Sequence, residues 1–373
     1  MRPLARPPAA FSMDARTCGL YARPMRQSFL ALAAGLSLSA LACGPSSSEI
    51  AAGGNGPTTT TGEGGGPTTS SEGGGGEGGG STTATSEGGG GAGGAPVKCE
   101  GKTGTLGDWN MKLVSGGVER NADVHVPEKY DPTAPTSLVL NFHGFSSNSF
   151  QEALLSLMND ASDERGFVVV YPNGLYSSWN AGKCCGTAAT LEVDDLGYVS
   201  ALIDELAEQY CIDPKRVFAT GMSNGGFLSH RLACELSDKV AAIAPVAGGI
   251  GLPLDDCQPP RPVPVMHFHG TLDTLVPYEG GGVYLFPSVD DSVARWREIN
   301  GCGSTLEITY EQGDSQCVSP LGCAEGADVV LCTVDGGGHT WPGGTPVPSL
   351  GWTTMDLDAT NAMLDFFEKH PMP

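Results

Sequence analysis

The stretch Val217-Phe218-Ala219-Thr220-Gly221-Met222-Ser223-Asn224-Gly225-Gly226-Phe227-Leu228-Ser229-His230-Arg231-Leu232-Ala233-Cys234 decides the reading of this chain. Its first four residues form a short β-prone run, introduced by the turn-like Asp213-Pro214-Lys215. Phe227, His230, Arg231 and Cys234 then recur at helical spacing. Between strand and helix stands Gly221-Met222-Ser223-Asn224-Gly225, a G-x-S-x-G pattern with no second match in the sequence. A serine at the tip of such a turn takes a strained backbone, and flanking glycines remove the Cβ atoms that would collide there. The pattern alone is weak in a glycine-rich chain. The strand before it and the helix after it make Ser223 the candidate nucleophile.

Outward from this segment, apolar strands alternate with helical patterns. A hairpin-like pair, Met111–Val114 and Val124–Val126, flanks Gly116-Gly117. Strands follow at Leu138–Phe142, Phe167–Tyr171, Val240–Val246, Pro264–Phe268 and Val329–Val334. Leu196, Val199, Leu202, Ile203, Leu206 and Tyr210 mark a helix with Asp194 and Asp195 at its start. Further helices are expected around Ser288–Asn300 and Ala359–Lys369. This is an α/β pattern, with a mainly parallel central sheet and helices on both faces, and its opening hairpin fits an α/β-hydrolase.

The folded part is expected at 96–373. Residues 1–43 read as a secretory signal, with arginines through Arg26, the apolar run Phe29–Leu38, then Ala40-Leu41-Ala42-Cys43. Met25 makes a more ordinary start than Met1. Ala40–Cys43 resembles a bacterial lipobox, which usually has Leu where Ala40 stands. Two expectations follow, acylation and membrane attachment through Cys43, or simple secretion. Residues 44–95 are low-complexity Gly, Ser, Thr and Glu, the composition of a disordered tether. The leader holds five Arg and one Asp and the linker five Glu, which leaves 15 basic and 36 acidic residues in 96–373, a net charge of −21. That balance argues against nucleic acid or anionic lipid as a partner. No protein partner is implied. Ten of the twelve cysteines fall in the folded part, an even number that suggests disulfides in an exported chain. Cys184 and Cys185 are adjacent, so each is expected to bond elsewhere. No Cys/His spacing suggests a metal, and no cofactor is implied.

A serine hydroxyl needs a base, and in the α/β-hydrolase order the partners follow as serine, acid, histidine. Of the seven histidines, only His339 and His370 lie beyond a plausible acid. His370 sits in a Pro-flanked tail where fraying is expected. His339 follows a strand and three glycines, and becomes the candidate base. Asp273 runs off the strand ending at Phe268 and becomes the candidate acid. Asp255 and Asp256 lie at the wrong end of that strand, and Asp290 and Asp291 read as helix N-terminal residues. The backbone N–H of Asn224 and that of Phe145, or else Gly144, would bind the oxyanion. His143 reads as a buttress of that loop.

Trp179-Asn180-Ala181-Gly182 with Cys184-Cys185-Gly186, Val193-Asp194-Asp195, the run Ile212–Gly226, His269-Gly270-Thr271 before Asp273 with Val276-Pro277-Tyr278 after it, and Gly338–Gly343 together resemble the polyhydroxybutyrate depolymerase/feruloyl esterase family. The resemblance covers nearly all of 99–370. It implies an extracellular, metal-free serine esterase whose triad is Ser223, Asp273 and His339. The family more often has an aromatic where Asn121-Ala122-Asp123 follow Arg120. Its members cleave hydroxycinnamoyl or acetyl esters of xylan, or polyhydroxyalkanoate. The feruloyl or acetyl-xylan type is expected here, with the depolymerase as the alternative and an inactive, surface-anchored binding module as a remote one. A peptidase is weaker again, since nothing marks a pocket for the residue before the scissile bond. Trp179 and Trp341 are candidates to stack on substrate, with core packing the competing reading.

Overall fold

The computed structural model describes residues 97–373. The signal, Met25, Cys43 and the linker all lie outside the described residues. The strands are β1 (Gly107–Ser115), β2 (Val118–Val126), β3 (Thr136–Phe142), β4 (Val168–Pro172), β5 (Ile212–Met222), β6 (Ala242–Val246), β7 (Val265–Gly270), β8 (Leu306–Gln312), β9 (Ser315–Pro320) and β10 (Val329–Val334). They form one sheet in the order β1-β2-β4-β3-β5-β6-β7-β10-β9-β8. The six central strands, β4 through β10 in that order, run parallel, and antiparallel hairpins close both edges.

The strand side chains split between two cores by simple alternation. Leu138, Leu140 and Phe142 of β3 belong to one cluster, and Val139 between them to the other. The first cluster is covered by α4 (Asp195–Gln209), α5 (Asn224–Glu235) and α6 (Val289–Ile299). The second is covered by α2 (Met158–Arg165) and α7 (Ala359–Lys369), with α1 (Ser149–Ser156) beside them. A short α3 (Gly186–Thr190) precedes α4. Side-chain caps open α4 and α6 where helix starts were expected. Asp194 accepts from the Gly197 N–H, and Ser288 and Asp291 form a capping box on α6. This is the α/β-hydrolase architecture.

Four local expectations change. Asp213-Pro214-Lys215 is no free turn but lies within β5, where the ladder to β3 jumps from Ile212 to Val217. Pro214 has no N–H to give a ladder, so the strand bulges around it. His370 does not fray. It is buried, with Nδ1 on the Phe366 carbonyl at 2.7 Å and Nε2 on Asp328 at 3.0 Å. The α1–α2 pair and the β8–β9 hairpin were not expected. α2 buries few apolar residues, and the outer strand β8 is almost wholly exposed, so neither carries a strong periodic signal.

All ten cysteines are paired: Cys99–Cys211, Cys184–Cys185, Cys234–Cys257, Cys302–Cys323 and Cys317–Cys332. The adjacent pair bonds to itself, which corrects the expectation of separate partners. The remaining eight cysteines already satisfy one another. Cys99–Cys211 closes 112 residues, and loop-entropy models put such a bridge on the order of 4–5 kcal/mol.

Candidate active site

Ser223 sits between β5 and α5 with φ +56° and ψ −118°, a backbone that side chains rarely adopt. A Cβ on Gly221 or Gly225 would collide with the Phe142 carbonyl, so the glycines let β3 pass directly beside the turn. The turn is held by the Ser223 N–H on the Val246 carbonyl and the Phe227 N–H on the Ser223 carbonyl, both 2.9 Å. Asn224 opens α5, so its N–H is one of the first-turn donors a helix leaves without an internal acceptor.

The β7 and β10 loops bring the other two residues in. Gly270 faces Gly337 so closely that a Cβ would meet its carbonyl, and the two loops cross backbone to backbone. His339 Nδ1 lies 2.6 Å from Asp273 Oδ2, and both residues are buried. The other carboxylate oxygen accepts the N–H groups of Leu275 (2.8 Å) and Val276 (2.9 Å). Burial alone would raise the Asp273 carboxyl, but hydrogen bonding and charge from His269 and His339 hold it well below the usual carboxylate range. Ser223 and His339 line one cavity of about 370 Å³, together with Gly144, Phe145, Cys184, Cys185 and Glu152. The structure therefore brings Ser223, Asp273, His339, Asn224, Gly144 and Phe145 to one place. A Cβ on Gly144 would come to 3.4 Å from that of Ser223, so this loop runs against the nucleophile.

His143 has the buttressing place expected of it. It accepts the Gly174 N–H on Nε2 at 3.0 Å, and its Nδ1 meets the Gly144 carbonyl at 2.7 Å. Burial pulls its pKa down to about 4, so the ring is neutral.

The two tryptophans are corrections. Both are completely buried, and neither offers a ring face to a ligand. Trp341 donates to Thr360 at 3.0 Å within the α7 core. Trp179 donates its ring N–H to the His143 carbonyl, while its backbone N–H and carbonyl are both bonded by the Asn224 side chain. Packing, not stacking on substrate, explains both.

Two supports escaped sequence reasoning. The first is a buried chain of rings behind Asp273. With each imidazole protonated on Nε2, Trp296 donates to His230 (2.9 Å), His230 to His267 (3.3 Å), His267 to His269 (3.1 Å), and His269 to the Val276 carbonyl (2.8 Å). His269 Nε2 is also 3.5 Å from Asp273 Oδ2. Burial holds His230 at about 3 and His267 well below its ordinary value, as a chain of neutral rings requires. The second is Glu152 of α1, buried against the cavity, whose carboxyl is pushed up to about 8 by burial. The His-Gly-x-x-Asp spacing hinted at the first; nothing in the residues around Glu152 announced the second.

Known proteins fit this geometry. The chain is 31% identical over 247 residues to feruloyl esterase B of Piromyces equi, covering 62% of this chain and 44% of that protein. It is 31% identical over 261 residues to a protein of Nocardia uniformis subsp. tsuyamanensis named as an esterase, covering 62% of this chain and 73% of that one. The chain belongs to the feruloyl-esterase family of α/β-hydrolases. An acetyl xylan esterase from Aspergillus awamori superposes with a TM-score of 0.50 over 70% of this chain and 99% of its own, at 16% identity, which bears on the fold. No family model matches the chain. Because the chain spans less than half of the Piromyces protein, family membership is where the likeness stops. Among the described residues no cluster of His, Cys, Asp or Glu has a metal-binding arrangement, and no helix is long and apolar enough to cross a membrane.

Proposed function

We propose that this protein is a serine carboxylic-ester hydrolase acting on feruloyl or acetyl esters of plant-wall polysaccharide. The observation that carries the reading is Ser223 sharing one cavity with a His339 that is bonded to buried Asp273 at 2.6 Å. Ser223 Oγ attacks the ester carbonyl while His339 Nε2 takes its proton. Asp273 holds the ring with Nδ1 protonated and stabilises the imidazolium. The oxyanion is bound by the N–H of Asn224 and that of Phe145 or Gly144. His339 then protonates the leaving alcohol, and water attacks the acyl-enzyme by the same route in reverse. The substrate class is supported by the named relatives and by the apolar residues of the cavity, Leu155, Val276 and Phe286 among them.

Polyhydroxyalkanoate depolymerisation is the second reading. It is favoured by exposed apolar side chains on segments that follow the sheet's parallel strands, Phe150 at the start of α1 and Leu272, Leu275 and Leu285 on loops. Release of ferulate from methyl ferulate, set against clearing of a polyhydroxybutyrate suspension, separates the two. Ser223→Ala should abolish either activity; full activity in that variant would refute the mechanism. An inactive binding module would hydrolyse neither, nor p-nitrophenyl acetate. We infer that the protein works outside the cytoplasm, a reading its five disulfides support, and attachment to a membrane through acylated Cys43 is part of the same proposal.

A further inference from the structure

One wall of the Ser223 cavity is used neither by the candidate triad nor by its supports. Cys184 and Cys185 both line that cavity, and Cys185, 8% exposed, shows more of its surface than Cys184, 1% exposed. We propose that the Cys184–Cys185 disulfide, with the Phe145 ring laid over Gly186, is the specificity-determining wall of the acyl subsite and takes flat aryl-propenoyl groups. This rests on the serine-esterase reading above.

Stability does not account for this bond. A disulfide stabilises mainly by closing a loop of the unfolded chain. The other four close 112, 23, 21 and 15 residues, whereas this one joins neighbours and closes none. What the bond does supply is a surface. It carries no charge and no N–H, and it presents polarisable sulfur, which makes favourable contacts with aromatic rings. Val276 and Phe286 line the same cavity and add apolar surface, with the Tyr284 ring 5.4 Å from that of Phe286. An acetyl group would leave most of about 370 Å³ unfilled.

The wall is also tied to the reacting centre. The Cys185 N–H donates to the Trp179 carbonyl at 3.3 Å and the Ala181 N–H to the Cys184 carbonyl at 2.8 Å. The Asn224 amide group that bonds Trp179 also reaches Cys184 Sγ at 3.5 Å. A Cβ on Gly186, which has φ +68°, would overlap the Phe145 ring. The sulfurs are thus positioned from the residue after the nucleophile and from the other oxyanion loop. A wall fixed in this way discriminates by shape.

The test measures kcat/KM for methyl ferulate and for 2-naphthyl acetate, whose aromatic ring is on the leaving group. In the full-length Cys184→Ala/Cys185→Ala variant the ferulate-to-acetate ratio should fall about tenfold or more, the scale on which pocket contacts discriminate acyl groups. An unchanged ratio overturns the proposal, even where both rates fall. A second measurement needs only the wild type. Methyl ferulate should be preferred about tenfold over methyl 3-cyclohexylpropanoate, which has similar length and no flat face; equal values overturn the wall. Absence of hydrolysis of all three esters by the wild type would instead overturn the esterase reading, and the wall with it.

Discussion

Replacing Glu152 by Gln should stabilise this protein at neutral pH and leave it unchanged in acid. Glu152 is 1% exposed, and burial, opposed by a hydrogen bond from the Met222 backbone, pushes its carboxyl from 4.5 to about 8. In the fold the group therefore keeps its proton until about pH 8, while the unfolded chain releases it near 4.5. Between those values the folded state binds more protons, so stability falls as pH rises, by about 1.4 kcal/mol per pH unit. At pH 7 the accumulated penalty is about 3 kcal/mol, on an order-of-magnitude basis. Below the unfolded value it is zero. Glutamine has the shape of the protonated acid and no charge to lose. Oε1 of Glu152 has no hydrogen-bond partner among the described residues, so the substitution sacrifices no bond there. Guanidinium unfolding under non-reducing conditions, run at pH 4.5 and at pH 7, reads the difference directly. The Glu152→Gln advantage should be near zero at the lower pH and about 3 kcal/mol at the higher. An advantage that is the same at both would refute the reasoning, because Glu152 would then ionise alike in folded and unfolded chains.

Asp273→Asn should lower kcat by about 10³–10⁴-fold with little change in KM, since it keeps the shape but not the charge or the tautomer control. Near-normal kcat in steady-state assays would remove Asp273 from the mechanism. His143, His230 and His267 all have pKa values lowered by burial, so unfolding should take up protons below pH 6.5, and stability should fall as pH drops through that value. Denaturation between pH 7 and 5 should show a steepening loss that His230→Gln relieves; an unchanged profile in that variant would count against a neutral ring chain. Arg120 and Asp195 form a buried pair at 2.7 Å, with the guanidinium 3.9 Å from the Tyr198 ring centroid. Arg120→Met would leave a buried carboxylate unpaired and should cost about 3–5 kcal/mol in chemical denaturation, whereas a loss under 1 kcal/mol would mark the pair as dispensable.

The parts of this site that were legible in the sequence share a physical cause. A strand-turn-helix nucleophile needs small residues at fixed offsets, so Gly221, Ser223 and Gly225 stand out locally. Asp273 and His339 follow strands whose apolar runs are plain, and chain order excluded most rivals. Parallel central strands are buried on both faces, so β3, β4, β6, β7 and β10 appear as mainly apolar stretches, broken only by residues such as Asn141 and His267. What was not legible depends on the third dimension. Trp179 and Trp341 lie in polar, glycine-bearing segments that look like loop surface, yet loop packing buries them completely. The Cys184–Cys185 bond could not be told from two separate bridges before the other eight partners were known. Glu152 occupies a helix of only eight residues, and its burial is defined by Met222 and the cavity rather than by its neighbours in sequence. The ring chain joins α6, α5 and β7, elements whose adjacency only the sheet order reveals.

The central claim is that Ser223 is a nucleophile activated by His339. Labelling with a fluorophosphonate probe, followed by peptide mass mapping, tests it most directly. One adduct is expected, on the peptide carrying Ser223, absent from Ser223→Ala and strongly slowed in His339→Ala. Labelling of a different serine, or an undiminished rate in His339→Ala, would contradict it.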